Sequence, residues 1–283
     1  MTLGSQWPAL MVAIVHANRP PWASIATDGQ GTTWLSGPSE GTDVPVFYIQ
    51  GAGPSWAASA FDATHERLRW QQSSRSVAPR LLRAVDFVGT YPFRRWVPRW
   101  HLAEVGQLPR PSLIARVPDT YLTAVYKELA LFDFFLSRTT ADWLYMTTSS
   151  SYVRVDKLLA TAGSLSPSRV YAGTRIVAGR REFASGANRL FSRDVVDDVF
   201  RSRTLWDRSL LEDLGLGKLA ERLGLSVRPL PSLNIDSVAE VWSLPVDILA
   251  GSFHYRVKSG PLDRRNDVGV MRALHERILS EGL

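Results

Sequence analysis

The sequence predicts an α/β fold, with one domain over residues 1–283 and a mainly parallel central sheet flanked by helices. Segments typical of buried strands alternate with segments whose apolar residues recur every three or four positions, the spacing of a helix. The composition supports a sizeable core, because 45% of the residues are hydrophobic and ten Trp and eleven Phe are spread along the chain. Alternating strands and helices form parallel sheets covered on both faces, and we find no stretch with the composition of a linker.

The first part of the chain contains three predicted strands separated by long connections. The apolar segment 9–17 predicts the first strand, and 44–49 predicts the second, after a connection rich in Gly, Pro, Ser and Thr. Residues 55–82 are predicted to be mixed, with helical pieces, and 84–88 to form a short strand. The segment 91–110, which is rich in Pro and Arg, is predicted to be an irregular connection.

The rest of the chain alternates more regularly between helices and strands. The clearest helix spans Asp119–Arg138, with Asp119 as its N-cap and apolar residues at spacings of three and four. The elements predicted after it are a strand at 142–147, a helix at 153–162, a strand at 169–172, a strand running into a turn at 182–191, a helix from Ser192 to about Phe200, a helix at 210–223, loops and short strands at 226–250, and a helix at 266–280.

The charge of the chain favours an anionic ligand or partner. The net charge is +6, and 29 of the 33 basic residues are Arg, whose planar guanidinium binds phosphate and carboxylate in a fork. A preference of the genome for Arg over Lys is the alternative explanation. We do not expect a nucleic-acid-binding protein, because the sequence has no basic run, zinc pattern or nucleic-acid motif.

Composition and the N-terminal sequence suggest a protein of the cytoplasm. The chain has no Cys, which excludes disulfides and thiolate metal sites. The apolar segment 8–15 is preceded by no basic residues, and it is far shorter than the roughly 20 residues of a membrane-spanning helix. We therefore expect neither a secretory signal nor a transmembrane segment.

Residue patterns alone identify few candidates for chemistry. None of the five His lies in a metal-ligand spacing, and phosphate-binding Gly signatures are absent. The serines 149–151 offer a possible nucleophile, but the sequence identifies no base for it. The adjacent carboxylates Glu212 and Asp213 lie in a helical segment, where neighbours project about 100° apart. One of them is a candidate base facing a pocket, and a solvated helix face is the alternative.

Four segments, taken together, resemble the fringe-like β-1,3-glycosyltransferases. Residues 117–127 are similar to the family's D-x-Y-x-N-L-T-x-K helix, and 142–153 to its strand followed by T-D-D-D-x-Y-V. Residues 171–194 are similar to Y-x-G followed by F-x-S-G and S-x-D, and 211–217 to E-D-V-x-x-G. The four segments occur in the family's order, whereas residues 1–110 match only loosely.

The resemblance implies a fold and an activity. The family has the GT-A fold and transfers a sugar from a nucleotide-sugar donor to an acceptor hydroxyl with inversion. By position, Asp213 corresponds to the general base that deprotonates the acceptor, and Glu212 lies beside it as a positioning group. Ser185 and Gly186 fall in the segment that lines the donor and acceptor pocket. The implied partners are a UDP-sugar donor and an acceptor that offers a hydroxyl group. The acceptor is a glycan or another hydroxyl compound, and an anionic acceptor is one alternative.

One departure from the family concerns its metal. The aspartates that hold Mn²⁺ or Mg²⁺ correspond here to Thr148, Ser149 and Ser150, and hard cations prefer charged oxygens. We therefore expect the ordinary metal site to be lost and the leaving diphosphate to be stabilised by cations near the C-terminus, Arg256 and Lys258 among them. A late histidine ligates the metal in many relatives, which makes His254 a candidate ligand, and a structural histidine is the alternative.

Two further hypotheses remain beside an active, metal-independent transferase. A degenerate relative that binds a nucleotide or glycan without turnover is favoured by the lost aspartates, whereas the retained pair Glu212–Asp213 favours catalysis. A transferase that acts on a polyanionic acceptor is suggested by the net charge. The sequence does not specify the sugar, the acceptor or the linkage.

Overall fold

A computed structural model describes residues 9–36, 44–53, 96–120, 123–179, 181–208, 210–260 and 265–283. Its strands are β1 (Leu10–Val15), β2 (Val46–Gly51), β3 (Trp100–Ala103), β4 (Ser112–Ala115), β5 (Trp143–Thr148), β6 (Ser151–Val153), β7 (Tyr171–Ala178), β8 (Arg181–Ser192), β9 (Val227–Pro229), β10 (Ser232–Ile235) and β11 (His254–Val257). Its helices are α1 (Trp22–Ser24), continued by a π-helical segment (Ile25–Gln30), α2 (Ala124–Arg138), α3 (Val155–Gly163), α4 (Arg193–Arg201), α5 (Glu212–Arg222), α6 (Val238–Ser243), α7 (Val246–Gly251) and α8 (Asp267–Ser280).

A large central sheet organises the described residues. Eight strands pair in the order β3–β4–β2–β1–β5–β8–β7–β9, and a smaller sheet has the order β10–β11–β6. In the large sheet β1, β2, β4 and β5 run parallel, as do β7 and β9. Strand β8 runs antiparallel to both of its neighbours, and β3 to β4. The predicted α/β fold is confirmed. The large sheet is mixed because β3 and β8 run antiparallel to their neighbours.

Helices cover both faces of the large sheet, because the strands are apolar on both sides. Met11 and Ala13 of β1 belong to the core that packs against α2, α4 and α5, whereas Leu10, Val12 and Ile14 belong to the core that includes α3. This alternation follows from the two-residue period of a strand. The side chains of α2 that face the sheet are fully buried, and each of them stabilises the fold by roughly 1.5–3 kcal/mol.

The start of α2 differs from the prediction. The helix begins at Ala124 with Thr123 as its N-cap, so the expectation that Asp119 caps it is wrong. The Asp119 carboxylate accepts hydrogen bonds from the backbone N–H of Gly51 (3.1 Å) and of Asn18 (2.9 Å). Asp119 therefore joins the ends of β1 and β2.

Three other predictions about the elements need correction. The segment 91–110 is not entirely irregular, because β3 pairs with β4 at the sheet edge. The connection after β1, for which the sequence predicts no helix, contains α1 and the π-helical segment. The predicted strand at 169–172 is longer than expected, as is the one at 182–191, and they pair as β7 and β8. The predicted strand at 84–88 and the helical pieces at 55–82 lie outside the described residues.

Candidate active site

A cleft lies where the carboxyl ends of the parallel strands β1 and β5 meet the N-terminus of α5. Ligands of open α/β sheets commonly bind at this edge. Its volume is about 270 Å³, and five stretches that are distant in sequence line it. These stretches are the end of β1 with the start of α1, the segment that leads into α2 with its first residues, the turn after β5, the middle of β8, and the first turn of α5; the side chain of Arg256 on β11 completes the lining.

The turn after β5 has a basic partner for each of its hydroxyls. Arg256 Nη1 donates to Thr148 Oγ1 (3.3 Å), and Arg265 Nη2 donates to Ser150 Oγ (2.9 Å). Two histidine rings contact the other two hydroxyls: His16 Nδ1 lies 2.9 Å from Ser149 Oγ, and His254 Nε2 lies 3.1 Å from Ser151 Oγ. Neutral hydroxyls therefore hold basic side chains at the position where the resembling family has metal-binding aspartates.

Arg265 is fixed from several directions. Its guanidinium forms a buried ion pair with Asp267 (2.5 Å), and its carbon Cζ lies 4.7 Å from the centre of the Trp22 ring. Because Asp267 balances its charge, Arg265 orients the turn, whereas Arg256 lies in the lining of the cleft. We call the group Thr148, Ser150, Arg256 and Arg265 the cationic wall.

The prediction that His254 ligates a metal finds little support in its surroundings. Its side chain is buried, burial followed by the charge of Arg256 lowers its pKa to about 3, and it does not line the cleft. Among the described ranges, no group of three or more His, Cys, Asp or Glu residues could hold a metal ion. The residues that are present at the turn thus do not fit Mn²⁺ or Mg²⁺, since hydroxyls already bonded to cations are poor ligands for a dication.

The carboxylates Glu212 and Asp213 line the same cleft from the first turn of α5. Two glycines bring this helix against its neighbours. A Cβ at Gly217 would lie 2.3 Å from the Cβ of Phe183 on β8, and one at Gly215 would lie 2.7 Å from the carbonyl oxygen of Asp207. The helix therefore approaches β8 more closely than larger residues allow. We call Glu212 and Asp213 the carboxylate wall.

Strand β8 bulges toward this wall. Between the pairs Gly173–Arg189 and Arg175–Ala184, β7 has one residue, whereas β8 has the four residues 185–188. Ser185, Gly186 and Ala187 line the cleft as a result. A Cβ at Gly186 would lie 3.1 Å from Glu212 Oε1, so a larger residue there would require the Glu212 side chain to shift slightly.

The environment of Asp213 suits a general base. Its carboxylate accepts hydrogen bonds from the backbone N–H of Leu214 (2.8 Å) and, more weakly, of Gly186 (3.4 Å). Burial, followed by the charge of Glu212, raises its pKa above the ordinary value, while Arg189 and the two N–H groups act in the opposite direction. A raised pKa makes a carboxylate a stronger base, provided that it stays ionised at the working pH.

A buried ionic network lies behind the carboxylate wall. Arg189 on β8 is fully buried, and its Nη2 contacts Glu128 Oε1 on α2 (2.5 Å) and Glu212 Oε1 on α5 (2.7 Å). Sequence patterns gave no sign of this network, because its members lie far apart in the chain. The cleft also has a second buried ion pair beside it, in which Lys127 Nζ lies 3.0 Å from Asp119 Oδ1.

Most of the residues predicted from the sequence lie together, and two do not. Those that line the cleft are Thr148, Ser149, Ser150, Ser185, Gly186, Glu212, Asp213 and Arg256. Two predicted residues lie outside the lining: Lys258, which is exposed, and His254, which is buried. Sequence reasoning missed His16, Arg19 and Trp22. Their position directly after a buried parallel strand was the signal that could have identified them.

Comparisons with known proteins leave the family open. No family model matches the sequence, and no curated protein matches it. Among solved structures, mouse xyloside xylosyltransferase 1 in its apo form is similar at a TM-score of 0.38 and 8% identity, over 88% of this chain and 97% of that one. Within the part of the chain that the structure describes, none of the helices is long and apolar enough to cross a membrane.

Proposed function

We propose that this protein is an inverting glycosyltransferase that moves a sugar from a nucleotide-sugar donor, a UDP-sugar in the first instance, to an acceptor hydroxyl without a bound divalent metal. The observation that carries the proposal is that a carboxylate wall and a cationic wall line one cleft. Asp213 supplies a carboxylate with a raised pKa, and Arg256 supplies a positive charge. The four segments that resemble the fringe-like motifs contribute to this cleft or to its immediate support.

The reaction uses the two walls in opposite roles. Asp213 accepts the proton of the acceptor hydroxyl, and the hydroxyl oxygen forms a bond to the anomeric carbon of the sugar. The bond from that carbon to the diphosphate oxygen breaks, and the electron pair leaves with the nucleoside diphosphate. Attack from the face opposite the leaving group inverts the configuration, which requires the base and the diphosphate to lie on opposite sides of the sugar.

The cationic wall takes the place of a metal in this proposal. A positive charge that is already oriented stabilises the growing charge of the diphosphate without reorganising during the reaction. Arg256 is oriented by its bond to Thr148, and the turn is anchored by the bond from Arg265 to Ser150. The hydroxyls of the turn therefore act mainly by holding cationic side chains in place.

The experiment that tests the proposal is a transfer assay in EDTA, in which nucleotide sugars are offered with a panel of glycan acceptors. We expect release of the nucleoside diphosphate together with a glycosylated product, and loss of both in Asp213→Asn. The control is Asp197→Asn, a surface carboxylate paired with Arg201 on α4, which should keep the wild-type rate. Binding of UDP without transfer to any acceptor would favour the non-catalytic alternative.

A further inference from the structure

Glu128, Arg189 and Glu212 form a cluster that the proposed reaction does not by itself explain. Arg189 donates to both oxygens of Glu128, at 2.5 Å and 3.3 Å, and lies 2.7 Å from one oxygen of Glu212. Arg189 and Glu128 are almost completely inaccessible to solvent, and the Glu212 side chain is 13% exposed. Three elements of the fold, α2, β8 and α5, thus meet at one guanidinium.

The number of charges in this cluster is unbalanced. Two buried carboxylates share one guanidinium, and an uncompensated charge in a protein interior is strongly unfavourable. The cluster becomes neutral when the two carboxyl groups hold one proton between them, as coupled carboxyl pairs do. Hydrogen bonds to the charged form favour that form. Glu128 receives two hydrogen bonds from Arg189, whereas Glu212 has one contact with it, so the proton is placed on Glu212.

We propose that Glu128, acting through Arg189, is a positioning residue that keeps Glu212 protonated, so that Asp213 is the only charged carboxylate of the carboxylate wall. A neutral Glu212 has two consequences. It can donate a hydrogen bond toward the cleft that it lines, and it places no negative charge beside the base. The role of Asp213 as a base rests on the proposed function, whereas the protonation of Glu212 does not.

The electrostatics of the site agree with this geometry. Burial first, and the charge of Glu128 second, raise the pKa of Glu212 to about 8, against the attraction of Arg189. The titratable and charged groups that face the cluster from the elements packed around it are Arg189 on β8, Glu128 on α2, Asp213 on α5 and the Tyr171 hydroxyl on β7. Burial raises the pKa of Tyr171 well above its ordinary value, so this group is neutral throughout the range discussed.

The proposal predicts how stability depends on pH. A carboxyl group whose pKa is raised in the folded protein binds a proton that the unfolded chain has lost, so its contribution falls as pH rises from its ordinary value toward the folded value. For Glu212 this window extends from pH 4.5 to about 8. Within it, the folding constant attributable to Glu212 should fall by about tenfold per pH unit.

The experiment measures urea unfolding between pH 5 and pH 8 for four proteins: wild type, Glu212→Gln, Glu128→Gln and the double variant. The difference between wild type and Glu212→Gln isolates the titration of Glu212. We expect the ratio of the folding constants of wild type and Glu212→Gln to fall steeply as the pH rises. For Glu128→Gln and the double variant, the total fall of the same ratio over this range should be smaller by a factor of at least about ten, since removing a neighbouring like charge lowers a pKa by about one unit or more. Parallel declines in the two pairs would overturn the proposal.

A second measurement needs no Glu128 variant, in case that protein does not fold. Infrared spectroscopy in ²H₂O should show a protonated carboxyl band at pH 7 in wild type that is lost in Glu212→Gln, and its absence from wild type would overturn the proposal. Neither measurement uses a sugar donor. If the carboxyl titration is confirmed in a protein that transfers no sugar, the result supports the proposed role of Glu128. It then contradicts only the proposed function.

Discussion

The two walls of the cleft hold their charges by opposite means. On the cationic wall, neutral hydroxyls accept hydrogen bonds from guanidinium groups, and the resembling family has aspartates at the same positions. On the carboxylate wall, the Asp213 carboxylate accepts hydrogen bonds from backbone N–H groups, and the buried Arg189 contacts Glu212. In the proposed function, the cationic wall takes the role of a metal and the carboxylate wall supplies the base.

Removing the base should have the largest effect on this arrangement. Asp213→Asn keeps the shape of the side chain but cannot accept the proton of the acceptor. We expect kcat to fall by about 10²- to 10⁴-fold, with the affinity for UDP unchanged, as measured by steady-state kinetics and calorimetry. Transfer that survives this substitution would show that the base lies elsewhere.

Removing the charge of the cationic wall should have the next largest effect. Arg256→Met keeps much of the side-chain volume but leaves Thr148 and the diphosphate without a cation. We expect kcat to fall by about 10²- to 10³-fold, with weaker UDP binding as well. Arg256→Lys should restore part of the loss, because a point charge replaces the fork only incompletely. Equal activity of the Met and Lys variants would contradict a role for the charge.

The pH dependence of the reaction separates the two walls further. Because burial raises the pKa of Asp213, the base becomes protonated at a higher pH than an ordinary aspartate. We expect kcat/KM to fall by about tenfold per pH unit below that pKa. The arginines of the cationic wall stay charged over the same range, so UDP affinity should change far less. A parallel fall in UDP affinity would show that the titrating group belongs to the cationic wall and not to the carboxylate wall.

The packing of α5 gives the smallest predicted effect, on stability. Gly217→Ala places a methyl group 2.3 Å from the Cβ of Phe183, so α5 must shift away from β8. We expect the free energy of unfolding in urea to decrease by about 1–3 kcal/mol. The control is Gly163→Ala, at the end of α3, where a Cβ would meet nothing within 4 Å. Equal stability of the two variants would show that the close approach is not needed.

The sequence predicted the parts of the fold that depend on local pattern. The apolar runs identified β1 and β5, and the three- and four-residue spacing identified α2, because burial of one face imposes that period. The segment 182–191 was predicted to run from strand into turn but is strand throughout, since the bulge at 185–188 interrupts the alternation of a strand. The edge strand β3 was missed because its sequence contains exposed residues and little alternation.

Residues of the candidate site could be predicted only where they belong to a recognisable sequence motif. Asp213 and Glu212 are neighbours in a recognisable segment, and Thr148, Ser149 and Ser150 occupy one turn. The ionic network could not be predicted, because Arg189 and Glu128 are 61 positions apart and each alone resembles a surface residue. The assignment of one domain to the whole chain, and the functional roles of the site residues, stay predictions.

Calorimetric titration of the protein with UDP, in EDTA and then with Mn²⁺, tests the central claim most directly. We predict that wild type binds UDP with the same affinity under both conditions and that Arg256→Met binds it more weakly in each. UDP binding that requires Mn²⁺, or binding that the Arg256 substitution leaves unchanged, would contradict the claim that a guanidinium replaces the metal in this cleft.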